Sequence, residues 1–340
     1  MSIADQEIRI NALAALGNYL LLPDEELTGF IRQAKQKNAW FTEEQTTNAV
    51  KATGKLLNKK DLSTWTQNYN FTSSPQKIGL VLAGNIPMVG FHDILAVVLS
   101  GNIALIKLSS SDDILIPKIL KKLIEIEPGF SSQIKFTERL EGFDAIIATG
   151  SNNTSRYFEY YFSKVPHIIR KNRNSIAILS GNETTEELKA LGKDIFDYFG
   201  LGCRNVSKLF VPEGYNFVPF FEAIEEYHTI KNHNKYNNNY DYNKSIFLVN
   251  KAPHLDNGFL LVTQSESLHS PLAVVFYDEY QQLAELKALL ENKKEEIQVL
   301  VTHINDDFAI AKTHFGNSQQ PALWDYADGV NTLEFLASLN

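Results

Sequence analysis

One cysteine, Cys203, stands in 340 residues. It cannot form an internal disulfide, and no Cys/His set has zinc spacing, so no metal site is expected and a reducing cytoplasm is the expected setting. Positive charge is not in excess either: 32 Lys and Arg face 40 Asp and Glu, a net charge of -8. That balance argues against a nucleic-acid surface and leaves room for a local basic pocket around a phosphorylated cofactor. No apolar run is long enough to span a bilayer, since the most apolar stretch, "ILAVVLSGNIALIKL", is broken by Ser-Gly-Asn. The opening "MSIADQEIRINALAALG" carries charges through its apolar pattern and does not read as a signal peptide. The G-x-G-x-x-G dinucleotide pattern is missing, and so is any repeat of solenoid period.

What is present is an α/β pattern. The first seventy or so residues read as helices, with Thr42 and Gln45 as a capping box ahead of Val50, Leu56 and Leu57. From Lys77 onward short apolar strands alternate with helices: "KIGLVLA", "FHDILAVVLSG", "IALIKLS", "DDILIPKILKKLIEI", "DAIIATG" and "TSRYFEYYFSK". Such alternation indicates a parallel sheet covered on both faces. A second set begins near residue 176 with "IAILS", a helix from Glu183 to Phe199, "KLFVP" and the helix "FVPFFEAIEEYH". Strands "SIFLVN", "FLLVT", "LAVVFYD" and "IQVLVTH" follow, the last after a helix in "YQQLAELKALLENKKEE". "NHNKYNNNYDYNK" reads as a solvated loop or hairpin tip, because its residues bury poorly and favour turns. The expected division is an N-terminal helical segment (1–75), a nucleotide-binding domain (76–175), a catalytic domain (176–315) and a tail packing back on the body (316–340).

Ligands of doubly wound sheets bind beyond the carboxyl ends of the strands. "VLAGNIPMVG" follows the first strand, and "ATGSNNTS" ends a later one and opens a helix, where Gly150 and Ser151 could meet a phosphate or merely cap the turn. Lys107 ends another strand and precedes "LSSSDD". For Cys203 the residue type alone favours packing, because free cysteine is among the most buried residues.

Taken in order, these stretches resemble the aldehyde dehydrogenase superfamily, and within it the short acyl-CoA reductases related to the fatty-acid reductase of bacterial luminescence. "AGNIP" is similar to the superfamily's Pro-Trp-Asn-Phe-Pro, keeping Asn85 and Pro87. "LSGNIALIKLSSS" matches Ala-Gly-Asn…Lys-Pro with Gly101, Asn102 and Lys107 retained. "TGS" at 149–151 matches the Gly-Ser nucleotide turn. "GLGCRNVSKLFVP" matches Gly-Gln-x-Cys-x-x-x-x-Arg-Leu-Phe-Val, with Lys208 in the arginine position.

The resemblance implies two α/β domains, Rossmann-like and catalytic, and a cysteine nucleophile at Cys203. It implies that Asn85, with the Cys203 backbone N–H, donates to the oxyanion. It places Ala83, Gly84, Lys107, Ser109, Ser110, Thr149, Gly150, Ser151 and Glu266 around the cofactor, although Glu266 lies one residue too far from Pro271 for the family spacing. The glutamate that activates water in hydrolytic relatives is replaced by Arg170, in "RKNRNSIAIL", and an arginine cannot be that base. Arg170 and Arg173 could equally be surface charges, or the alignment could slip there. Ser110 stands where NAD-preferring relatives hold the ribose with glutamate, which favours NADPH and leaves NADH open; Asp112 and Asp113 count against a 2′-phosphate if they turn inward, and Asp112 alternatively caps the next helix. The expected activity is reduction of acyl-CoA to an aldehyde. Reduction of an acyl phosphate or a carrier-protein thioester, and a non-catalytic nucleotide-binding subunit, stay open. Expected partners are acyl-CoA, no nucleic acid, no integral membrane and an optional homo-oligomer. All eight histidines default to structural or surface roles.

Overall fold

The computed structural model describes residues 3–71 and 74–339. Two compact units divide it: the chain up to Asn172 joined by the stretch from Ala322 onward, and Arg173–Pro321.

The first unit opens with four helices, α1 (Ile3–Leu21), α2 (Glu25–Lys37), α3 (Glu43–Leu56) and α4 (Lys59–Thr66). Asp24, Thr42 and Asn58 start the last three, each side-chain oxygen accepting from a backbone N–H three residues on. Leu13, Leu16, Leu20, Val50 and Leu62 bury their side chains in the same core as the sheet, so these helices share its core instead of standing apart. The sheet contains β1 (Lys77–Val81), β2 (Ile103–Lys107), β3 (Ile134–Phe136), β4 (Ala145–Thr149) and β5 (His167–Arg170). Helices α5 (Phe91–Leu99), α6 (Leu115–Ile126) and α7 (Asn152–Phe162) follow β1, β2 and β4. Strand order is β3-β2-β1-β4-β5, with every pair parallel. That order is the doubly wound one, and its growth reverses between β1 and β4. The C-terminal helix Thr332–Ala337 returns to this unit, where Leu323, Leu333 and Leu336 join the core.

The second unit is built on β6 (Asn174–Ile178), β7 (Val206–Pro212), β8 (Leu255–Asp256), β9 (Leu261–Gln264), β10 (Val274–Tyr280), β11 (Ile297–Val301) and β12 (Lys312–Thr313). The order is β12-β11-β6-β7-β10-β9-β8, parallel except for β8 against β9. Its helices are α8 (Thr185–Phe196), α9 (Val218–Ile224), α10 (Asn234–Val249) and α11 (Leu283–Asn292).

Helix α10 corrects the sequence reading twice. The Asn/Tyr stretch is a helix, not a loop, and "SIFLVN" is its continuation, not a strand. Tyr236, Tyr240 and Asn243 fall on one face at i, i+4 and i+7 and are buried. Each has a partner for its polar end: the Tyr236 hydroxyl donates to the Phe259 carbonyl at 3.0 Å and that of Tyr240 to Asp256 Oδ1 at 2.7 Å. The Asn243 amide donates to the Leu272 carbonyl at 2.9 Å. Polar residues bury when their hydrogen bonds are replaced, and a composition argument does not see the replacements.

Candidate active site

In the first unit the expected nucleotide residues gather at one edge of the sheet. Ala83 and Gly84 follow β1, Ser109 and Ser110 follow Lys107 at the end of β2, and Gly150 and Ser151 follow Thr149 at the end of β4. These strands are neighbours: Val81 pairs with Lys107 on one side and with Ala148 on the other. All eight residues therefore stand at carboxyl ends around the switch point, where such sheets take their ligands.

Local contacts give several of them a definite setting. A Cβ on Gly84 would lie 2.5 Å from Ser109 Oγ, so only glycine lets the two turns touch. A Cβ on Gly150 would lie 2.8 Å from the Phe158 ring. Ser151 starts α7, its Oγ accepting from Thr154 N–H at 3.3 Å, which is the capping role. Ser110 is exposed; Lys107 is exposed and donates to the Glu138 carbonyl at 2.8 Å. Asp112 does not cap α6. It is buried, and its Oδ2 accepts from Met88 N–H at 2.8 Å. Burial pushes its carboxyl up to about 6. Asp113 pairs with Lys37 of α2.

Asn85 is exposed on the loop between β1 and α5. Three residues on, Met88 has a left-handed backbone, φ 65°. For a non-glycine residue that costs on the order of 1–3 kcal/mol and persists only where surroundings enforce it.

Cys203 sits in the second unit on the turn before β7, and it is exposed. That excludes the gap-filling reading. The turn is strained and tied. Tyr198 (φ 53°), Phe199 (φ 59°) and Gly200 (φ 78°) are all left-handed. Phe199 stacks on His233 with ring centroids 4.3 Å apart. Asn205, buried, accepts from Gly202 N–H at 2.8 Å and donates to the Asp197 carbonyl at 2.8 Å. The Ser175 hydroxyl donates to the Cys203 carbonyl at 2.9 Å. Glu266 follows the carboxyl end of β9, whereas Cys203 precedes the amino end of β7, so they leave parallel strands at opposite ends. Glu266 is exposed, and its backbone carbonyl faces Lys293 Nζ at 3.5 Å.

Arg170 is not a surface charge. It closes β5 in the interior, ion-paired to Asp93 of α5, and donates to the Thr332 hydroxyl at 3.0 Å. Arg173, half-buried, reaches Glu295 at 3.4 Å. Lys208 is fully buried in β7, donates to the Ser265 carbonyl, and lies 3.8 Å from Asp278. Its ammonium rests 5.1 Å from the Phe210 ring centroid. Burial lowers it from 10.5 to about 8. Between those values the unfolded chain holds more protons, so folding stability rises with pH. Lys208→Met loses that rise. The difference in urea midpoint between the two proteins is expected to move in favour of the native protein between pH about 8 and about 10. Parallel titrations of both proteins check this, and a pH-independent difference would refute it.

Sequence reasoning missed Asp112, Asn205 and Ser175 as supports of the site. It also left His269 unplaced; this exposed ring approaches Asn174 Oδ1 at 3.0 Å, beside Ser175 at the start of β6. Among the described residues, no group of three or more His, Cys, Asp and Glu could hold a metal ion.

Comparison with solved structures gives the class. The chain is similar to aldehyde dehydrogenase 21 from Physcomitrella patens, in complex with the reaction product succinate, at 12% identity over 98% of this chain and 84% of that one, TM-score 0.72. It is similar to an oxidoreductase from Marinobacter aquaeolei at 11% identity, over 95% and 79%, TM-score 0.69. A mutant of aldehyde dehydrogenase C from Pseudomonas syringae, complexed with NAD+ and octanal, aligns at 10% identity over 91% and 76%, TM-score 0.64. The fold is thus that of the aldehyde dehydrogenases. No curated protein gives a significant match. Residues 30–219, more than half the chain, match the family model of acyl-CoA reductase (LuxC). The chain belongs to that family and is an oxidoreductase of acyl and aldehyde groups. No helix among the described residues is long and apolar enough to cross a membrane.

Proposed function

We propose that the protein reduces the thioester of an acyl-CoA to an aldehyde, with NADPH as reductant and an acyl-Cys203 intermediate. The setting of Cys203 carries this reading: an exposed sulfur on a strained, tied turn within the segment that matches acyl-CoA reductases. As thiolate, Cys203 Sγ bonds to the carbonyl carbon, and the CoA sulfur leaves with its electron pair. Asn85 donates its side-chain amide to the oxygen that becomes negative. After reduction the same carbonyl re-forms, the C–S bond breaks, and the aldehyde leaves with Cys203 again a thiolate. The arginine at position 170 has no lone pair with which to activate water, so the acyl group is kept for reduction.

The residues at the switch point suit a dinucleotide. The 84 and 109 turns leave no room for a side chain at position 84, and α7 begins after Ser151 with its positive end at the strand edge. Lys107, Ser109, Ser110, Thr149, Gly150 and Ser151 would hold the phosphates and ribose; the bound cofactor supplies the hydride. Asp112 is engaged by Met88 and Asp113 by Lys37, and Ser110, exposed and uncharged, leaves room for a 2′-phosphate, which supports NADPH.

The test is a series of butanoyl-, octanoyl-, dodecanoyl- and hexadecanoyl-CoA with NADPH or NADH. Cofactor oxidation should match aldehyde formed mole for mole, with no acid, and NADPH should be preferred. Asn85→Ala should lower kcat about 10²–10³-fold. Turnover of an acyl phosphate but no thioester would move the leaving group; no turnover of either would leave a nucleotide-binding subunit.

A further inference from the structure

We propose that Asp112 is a positioning residue whose carboxylate holds the 83–90 loop in the shape from which Asn85 acts, a proposal that rests on the role given to Asn85 above. The loop lies between β1 and α5 and has no regular hydrogen-bond ladder of its own. Two contacts pin it, one on each side of Asn85. On the near side Gly84 lies against Ser109, with no space for a side chain between them. On the far side Met88 N–H donates to Asp112 Oδ2 at 2.8 Å. Both pins belong to one short turn that ties itself: Asp112 N–H donates to the Ser109 carbonyl at 3.1 Å, and Ser111 N–H to Ser109 Oγ at 3.3 Å. The 109–112 turn is therefore a platform, and residues 85–87 bridge its two attachments.

The chemistry of the second pin explains why a carboxylate occupies a buried position. Met88 holds a left-handed backbone that an unbranched side chain leaves readily, and its N–H is buried. An acceptor fixed in place keeps that conformation; an apolar residue of equal volume does not. The acceptor is expensive to keep, because Asp112 Oδ1 is buried with no hydrogen-bond partner among the described residues. The nearby cation, Lys37, pairs with the neighbouring Asp113, and among the described residues none is paired with Asp112 itself. A residue kept there only for packing would be better apolar.

The experiment compares Asp112→Leu, which keeps the branching at Cγ and removes the acceptor, with Asp112→Asn, which keeps a carbonyl oxygen for Met88. Amide hydrogen exchange over residues 84–89 and steady-state kinetics with the acyl-CoA series and NADPH are read on the same preparations. Asp112→Leu should speed exchange at least about tenfold in that peptide alone and lower kcat about 10–100-fold, with KM for acyl-CoA and NADPH little changed. Asp112→Asn should restore slow exchange and most of kcat. If the leucine variant does not fold, Asp112→Ala removes the same acceptor. Unchanged exchange, or faster exchange with unchanged kcat, would overturn the proposal, as would an asparagine variant no better than leucine. A native protein inactive on every thioester would overturn the function, and the exchange result alone would then decide whether the clamp exists.

Discussion

Cys203→Ala should fold as the native protein does and lose acyl-CoA reduction by roughly 10⁴-fold or more. Both halves follow from its place. The side chain is exposed, so its truncation removes little packing and the thermal midpoint should barely move; changes at such sites are usually within about 0.5 kcal/mol. The turn is held by the Asn205 and Ser175 hydrogen bonds and by the Phe199–His233 stack, none of which uses the sulfur. What disappears is the atom to which the acyl group transfers. Without nicotinamide, the native protein incubated with radiolabelled acyl-CoA should retain label that hydroxylamine releases, whereas Cys203→Ala should retain none. Cys203→Ser should also fail, because a hydroxyl is far less ionised than a thiol near neutral pH. Undiminished turnover in Cys203→Ala, or label held by the alanine variant, would end the acyl-cysteine mechanism.

The sheets are legible in the sequence for a physical reason. Strands covered on both faces read as mostly apolar runs, as in the stretches that became β1, β2, β4, β7 and β11, the last two interrupted only by buried or half-buried Ser207, Lys208 and Gln298. Where coverage is partial the signal fades. β3 and β5 are three and four residues long, with exposed members, and neither was anticipated. Helix α10 fails in the other direction, since Tyr236, Tyr240 and Asn243 carry polar ends whose partners lie more than ten residues away. Propensity is local, and these burials are not.

The site divides along the same line. The resemblance to the aldehyde dehydrogenases is what singles out Asn85 and Cys203 as candidates; residue type alone points Cys203 inward, and only the fold shows it at the surface. The supports are invisible from sequence because they are hydrogen bonds to backbone across the fold: Asp112 acts 24 positions from Met88, and Ser175 acts 28 from Cys203. A serine or aspartate in a turn offers a local explanation first, as a cap or a bend, and Asp112 was read that way. Left-handed backbone at Met88, Tyr198 and Phe199 has no sequence signature either, since none is glycine or asparagine. The strain appears on the two loops that bear the candidate amide and the candidate nucleophile, which is where enforced geometry is of most use.

Arg170→Met should destabilise the first unit by about 3–5 kcal/mol, a fall in melting temperature of roughly 10 °C or more. The arginine and Asp93 are both buried, and the pair joins the end of β5 to α5, while the second guanidinium nitrogen reaches Thr332 at the start of the C-terminal helix. Removing the cation strands the Asp93 carboxylate: its Oδ2 loses the arginine, and its Oδ1 has no hydrogen-bond partner among the described residues. The loss should come from that stranded charge more than from the broken contact. Asp93→Asn with Arg170→Met should therefore recover much of the stability lost by Arg170→Met alone. Arg170→Lys should fall between, keeping the charge but not the fork that serves Asp93 and Thr332 together. The sharpest variant is Arg170→Glu, which puts at this position the glutamate that the resemblance to hydrolytic aldehyde dehydrogenases implies for them. Two buried carboxylates would then face each other, so it should unfold before it could activate water, and acid should not appear among its products. Thermal unfolding of the five proteins, with product analysis on those that fold, decides the matter. A folded Arg170→Glu that turns acyl-CoA into acid would show that this position is free to serve as a base, contrary to the ion pair that now fills it.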